Sequence, residues 1–97
     1  MYSLLYVTAG HLVELLCNTS LTAGVMWTCD TGDGYVDNVY WNRHVDSDRP
    51  QLSVKSTRVG YHSLVIDHAG LKDSGLYNCY DGKGLRKVGY QLIIAGM

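Results

Sequence analysis

The sequence predicts an all-β domain in which two antiparallel sheets pack face to face. Its 97 residues are 46% hydrophobic, with eight Tyr, two Trp and no Phe, which is too apolar for a disordered segment and enough for one domain. Eleven Gly and one Pro separate short stretches rich in Val, Leu, Ile, Tyr and Thr, as in strands joined by turns. No segment keeps a 3.6-residue period over two turns with a cap and a stop, so no helix is predicted. Two packed sheets are the arrangement in which such short strands bury their alternate side chains.

Period-2 alternation locates the strands in order along the chain. Val13, Leu15 and Cys17 share one face of the second predicted strand, and the same alternation recurs in the others. The run Asp-Gly-Lys-Gly at 81–84 indicates a hairpin before the last strand. The predicted strands cover residues 2–8, 11–18, 25–30, 35–45 (as one strand or two), a stretch after Pro50, 62–67, 76–80 and 86–95.

Charge and residue spacing exclude several classes of function. The net charge of -1 and pI near 6.4 give no electrostatic basis for binding nucleic acid or an anionic membrane. Apolar runs are far shorter than the roughly 20 residues that span a bilayer, so this segment is not expected to insert directly into a membrane. The four His lack the spacing of metal ligands, and no nucleophile–base pair or phosphate loop is present. We therefore expect neither an enzyme, nor a cofactor, nor a metal site.

Three cysteines allow one disulfide in any of three pairings: Cys17, Cys29 and Cys79. Residues 10–17 read Gly-His-Leu-Val-Glu-Leu-Leu-Cys, Trp27 follows, and residues 73–79 read Asp-Ser-Gly-Leu-Tyr-Asn-Cys. Over nearly its whole length the chain resembles the immunoglobulin superfamily, whose pattern is Gly-x-x-Val-x-Leu-x-Cys, then Trp, then Asp-x-Gly-x-Tyr-x-Cys. This resemblance implies an immunoglobulin-like β-sandwich.

The resemblance also implies which cysteines pair. A Cys17–Cys79 disulfide would join the two sheets, with Trp27 packed against it. Such a bond would add roughly 4 kcal/mol of stability and would place the domain in an oxidising compartment. Cys29 then remains, either as a buried thiol or as the partner in an alternative or intermolecular disulfide.

Three further residues are implied to be structural by the same resemblance. The hydroxyl of Tyr77 is expected to form a hydrogen bond with the backbone just upstream in the chain, as in the family's tyrosine corner. Asp73 is expected to pair with Arg49, which stands where the family carries a basic residue.

The resemblance is greatest to the variable-type (V-set) domains. The interval from Trp27 to Arg49 has room for an extra strand C′ and a strand C″. Thr28 and Asp30 replace the Tyr and Gln that antigen receptors usually carry, and the loop at 81–85 is short. These departures favour a germline-encoded V-like receptor or adhesion domain, of an invertebrate or primitive chordate receptor or a viral mimic, over an antibody or T-cell receptor chain.

V-like domains commonly dimerise or bind partners through the sheet of family strands G, F, C and C′. We therefore expect residues 1–97 to be a single V-like domain, taken from a longer ectodomain or a secreted protein, that binds a protein partner or a second copy of itself. The expected outward residues are Met26, Thr28, Asp30, Asn78, Tyr80, Lys87, Gln91 and Ile93, with Tyr40 or Trp41 depending on register.

Two further expectations concern the loops. An alternative function is a secreted binder that recognises a small or glycan ligand through the loops at 19–24 and 81–85. Asn18-Thr19-Ser20 is a glycosylation sequon, so we expect Asn18 to carry a glycan at the surface of an extracellular protein.

Overall fold

A computed structural model describes residues 1–19, 25–32, 37–41, 44–45, 50–56 and 62–96, with backbone alone at 37–41, 44–45 and 56. Within these ranges the regular structure is all β apart from a single 3-10 turn at Leu71–Asp73. The strands are β1 (Ser3–Thr8), β2 (Val13–Leu15), β3 (Val25–Asp30), β4 (Asp37–Trp41), β5 (His44–Val45), β6 (Leu52–Ser56), β7 (His62–Ile66), β8 (Gly75–Asp81) and β9 (Arg86–Ala95). The predicted all-β sandwich is confirmed.

The strands form a six-stranded sheet in the order β1-β9-β8-β3-β4-β5 and a three-stranded sheet in the order β2-β7-β6. Strands β4 and β5 extend the larger sheet beyond β3, in the interval where the sequence has room for additional strands. In the described part of the chain, no helix is long and apolar enough to cross a membrane.

The expectation that both sheets are entirely antiparallel is wrong at one position. Strand β1 pairs with β9 in parallel, from Ser3 opposite Tyr90 to Thr8 opposite Ala95. After β1 the chain turns at Gly10, whose φ is +93°, and crosses to the other sheet as β2. The two strands therefore belong to different sheets, and β1 forms an edge beside the last strand.

The core lies between the sheets and consists of inward side chains that the alternation in the sequence predicts. Val13 and Leu15 are buried on β2 while Glu14 between them is exposed. Trp27 is fully buried, its ring stacks on Tyr90 with centroids 6.3 Å apart, and its Nε1 donates to the carbonyl of His62 at 3.2 Å.

A disulfide between Cys17 and Cys79 joins the sheets across this core. The two residues are separated by 62 positions, so the bond removes a large loop-closure entropy from the unfolded chain, worth about 4 kcal/mol. Cys29 is buried at 1% exposure on the Trp27 side of β3 and takes no part in this disulfide.

Candidate protein-binding face

The face of the six-stranded sheet that points away from the core is termed the outer face. Strand register arranges its described residues in rows, because residues opposite each other in a ladder point to the same side. The rows are Met26–Tyr80–Arg86, then Thr28–Asn78–Gly89, then Asp30–Leu76–Gln91–Leu4, and finally Ile93–Tyr6.

Strand β1 supplies the most exposed apolar part of the outer face. Leu4 is 53% exposed and Tyr6 is 68% exposed, while Leu5 and Val7 are half-buried against the core. The sequence did not predict that Leu4 and Tyr6 contribute to this face. The alternation of residues 3–8 was visible, but it does not say which sheet the strand joins.

A cluster around Arg86 occupies the end of the outer face next to the β8–β9 hairpin. The guanidinium carbon lies 4.6 Å from the centroid of the Tyr2 ring, a cation–π geometry. Arg86 Nε donates to Asn78 Oδ1 at 2.7 Å, and Arg86 Nη2 donates to the carbonyl of Met1. Asn78 Nδ2 in turn donates to the Tyr2 hydroxyl at 3.3 Å. These contacts fix the position of a positive charge beside the Tyr2 ring.

This cluster requires the glycine beneath it. A Cβ at Gly89 would lie 1.9 Å from Arg86 Nη2 and 2.8 Å from Tyr2 Cδ1, so only glycine lets both side chains lie flat on the sheet. The structure thus gives Gly89 a packing role.

Two of the expected outward residues lie on the outer face but are buried there. Asn78 is 9% exposed, because Arg86 and Tyr2 cover it and bind its amide. Thr28 is 4% exposed, since β3 is an interior strand with β8 and β4 on either side. Within the described residues, Thr28 Oγ1 has no hydrogen-bond partner. Side-chain alternation gives the face on which a residue lies, but it does not show which longer neighbours fold over it.

Lys87, also expected on the outer face, is not the residue opposite Tyr80. The register shifts between Cys79 and Tyr80, so Arg86 lies opposite Tyr80 and Lys87 is the additional residue of a β-bulge. Its ammonium group lies 3.8 Å from Asp81 Oδ2. The basic residue of the Tyr80 row is therefore Arg86.

The remaining predicted face residues lie on the outer face. Met26, Asp30 and Tyr80 are half-buried and Gln91 is exposed. Asp30 Oδ1 accepts the N–H of Gly32 at 2.9 Å, which orders the end of β3. Tyr40 and Trp41 belong to β4, where Tyr40 pairs with Trp27, but their side chains lie outside the described residues.

The loop between β8 and β9 is a closed hairpin. Asp81 Oδ1 accepts the N–H groups of Lys83 and Leu85, both at 2.9 Å. The hydrogen bond from the Leu85 N–H is the largest cause that lowers the pKa of the Asp81 carboxyl. Partial burial opposes this lowering. The hydrogen bond from the Lys83 N–H and the nearby positive charges of Lys87 and Lys83 add to it. The hairpin is thus held by its own contacts, whereas most of the other loop named for the alternative function, residues 20–24, lies outside the described residues.

Two of the residues expected to be structural, Asp73 and Tyr77, contact each other. The Tyr77 hydroxyl donates to the carbonyl of Asp73, and Asp73 is 2% exposed. The Asp73 carboxylate accepts from Gln51 Nε2 at 3.0 Å and from the N–H of Gly70 at 2.8 Å. Arg49, the expected partner of Asp73, lies outside the described residues.

Two other predicted features can be located. Asn18 is exposed beyond the end of β2, whereas Ser20 of its sequon lies outside the described residues. Among residues whose placement is described, no group of three or more His, Cys, Asp and Glu is arranged to hold a metal ion.

No protein-family model and no curated protein matches the chain. Solved structures do match. The chain is similar to the ZIG-8–RIG-5 IG1–IG1 heterodimer, with a TM-score of 0.80 and 19% sequence identity over 98% of this chain and 83% of that chain. It is similar also to the ZIG-8 IG1 homodimer, with a TM-score of 0.78 and 19% identity over 99% of this chain and 81% of that chain. At this level of identity the likeness establishes architecture alone, and the chain therefore has the immunoglobulin-like β-sandwich fold.

Proposed function

We propose that this chain is an extracellular recognition domain of V-type architecture that binds a protein partner through the outer face. The observation that carries the proposal is the composition of that face. Exposed or half-buried Leu, Tyr, Met and Ile side chains share this face with one ordered arginine. Interface centres are enriched in aromatic residues, Met and Arg and depleted in other charges.

The partner, the V-type assignment and the location each have a separate support. The similar solved structures are a heterodimer and a homodimer of immunoglobulin domains, so a second immunoglobulin domain, including another copy of this chain, is the partner we propose. Strands β4 and β5 lengthen the outer face, which is the basis for the V-type assignment. The disulfide supports an extracellular location, because such bonds persist in oxidising compartments.

The test inserts a negative charge opposite Arg86 on the outer face. Tyr80→Glu should abolish self-association in sedimentation velocity and binding to immobilised immunoglobulin ectodomains, because it removes the half-buried ring and its carboxylate would neutralise Arg86, which lies opposite. The matched control is Leu71→Glu, since Leu71 is 61% exposed in the 3-10 turn, outside the outer face. Circular dichroism should show both variants folded.

The proposal is contradicted if Tyr80→Glu associates as the unmodified chain does. It is contradicted equally if Leu71→Glu causes the same loss, because the effect would then be one of net charge.

We also propose that Asn18 carries an N-linked glycan, since its side chain is exposed at the end of β2. Secretion from a eukaryotic cell should give a product that loses mass on glycosidase treatment, and Asn18→Gln should abolish this mass loss. An unchanged mass in the unmodified chain would refute the glycan without affecting the proposal for the outer face.

A further inference from the structure

We infer that the free edge of β1 is a second association surface, at which a second copy of the chain adds its own β1 in antiparallel orientation. This surface goes beyond the proposed function because it uses the edge of the six-stranded sheet rather than its outer face. The strand order ends at β1, which pairs with β9 on one side. Alternate backbone N–H and C=O groups of an edge strand point away from its neighbour and are available to another strand.

The four edges of the two sheets differ in how they are protected from pairing. Strand β5 has two residues and β2 has three, with the exposed Glu14 in its centre. Strand β6 carries the exposed Lys55. Short length and charge are the usual means by which edges avoid association.

Strand β1 has none of these protections. Its six residues, Ser-Leu-Leu-Tyr-Val-Thr, contain no charge and no Pro, and its register with β9 continues without a bulge. Its outward side chains Leu4 and Tyr6 are both more than half exposed. An uncharged and largely apolar edge of this kind is a template for another strand.

A second copy fits this edge because β1 is complementary to itself. A two-fold axis perpendicular to the sheet keeps both outer faces on one side, so an outward residue must lie opposite another outward residue. An axis centred on Leu5 places Leu4 of each copy opposite Tyr6 of the other, which gives two aliphatic–aromatic cross-strand pairs. Antiparallel pairing also leaves no like charges opposed along the strand.

The resulting dimer would have one continuous sheet with two outer faces side by side. Both faces would remain free for partners, so a dimer formed at the edge would bind bivalently. Edge pairing and outer-face binding are therefore compatible in one assembly.

Amide hydrogen exchange, followed by NMR at increasing protein concentration, reports edge pairing directly. In the monomer the β1 amides that point away from β9 should exchange quickly. In the dimer these same amides should become protected by about tenfold or more, while the protection of β8 changes little. Tyr6→Lys should abolish the concentration dependence and sediment as a monomer. Leu85→Lys is the matched control, because Leu85 is 63% exposed in the hairpin and Tyr6 is 68% exposed on the edge.

The inference fails if exchange of the β1 amides does not depend on concentration up to the millimolar range. It fails also if a dimer forms that Tyr80→Glu disrupts and Tyr6→Lys does not, since that dimer would use the outer face. Conversely, protection of the β1 amides that rises with concentration and persists in Tyr80→Glu supports edge pairing whatever becomes of the proposed function.

Discussion

Gly75, at the start of β8, provides the most quantitative test of the packing. The backbone of β8 passes so close to the end of β3 that a Cβ on this residue would lie 2.3 Å from the Asp30 carbonyl oxygen and 3.0 Å from Thr31 Cα. Optimal separation between non-bonded carbon atoms is about 3.5–4.0 Å. Both contacts are with backbone, so no side-chain rotation relieves them. Gly75→Ala must therefore push the two strands apart where Asp30 pairs with Leu76.

The expected cost follows from two opposing effects. Overpacking of a rigid site costs about 1–3 kcal/mol, and the upper end applies because a paired strand must move. Replacing Gly by Ala also restricts the unfolded chain, which offsets about 0.4–1 kcal/mol. The net loss in the free energy of unfolding is about 2 kcal/mol, or a Tm lower by about 8–16 °C for a domain of this size.

Urea and thermal unfolding followed by circular dichroism measure this change. The control is Gly70→Ala, since Gly70 has a φ of -109° and its Cβ would meet nothing closer than 3.9 Å, so its stability should change by less than about 0.5 kcal/mol. If Gly75→Ala proves as stable as Gly70→Ala, the close approach of the two strands is not a constraint and the reasoning is refuted.

Three further predictions concern side chains that form hydrogen bonds with the backbone or pack flat against it. Tyr77→Phe should lower the free energy of unfolding by about 1–2 kcal/mol in urea titrations, because the buried Asp73 carbonyl loses its donor; an unchanged value would mean that water replaces the hydroxyl. The pKa of Asp81 is lower in the folded state than in the unfolded state, so its contribution to stability is present above the unfolded pKa and is lost as the pH falls from about 4 through the folded value. Asp81→Asn should therefore flatten the acid side of the stability–pH curve, and an unaltered slope would count against the hairpin contacts. Gly89→Ala should lower the free energy of unfolding by only about 1 kcal/mol, because the clashing Arg86 guanidinium can rotate away. The NMR signal of Arg86 Nε–H should shift as the guanidinium moves. A loss of stability as large as that for Gly75→Ala would contradict this difference.

The strands and core of the domain could be predicted from the sequence more fully than the exposure of its surface residues. The positions of the strands follow from alternation, which is a local property, and Trp27 lies in the core between the sheets. The Cys17–Cys79 pairing came from resemblance to a family, since three cysteines alone allow three pairings. In contrast, alternation predicts that Thr28 and Asn78 point outward but not that they are buried, because it takes no account of neighbouring strands or of side chains that cover a residue.

The sequence by itself determined that this chain is all β, which side chains alternate inward, and where turns interrupt the strands. These properties depend on neighbours two residues apart and on the conformational preferences of Gly, so they can be read without knowing the fold. Only the tertiary structure decided that β1 joins β9 in parallel, that Arg86 rather than Lys87 lies opposite Tyr80, and that Tyr2 and Arg86 cover Asn78. Such contacts join residues far apart in the chain, and a one-residue bulge is enough to change them, so local pattern does not determine them.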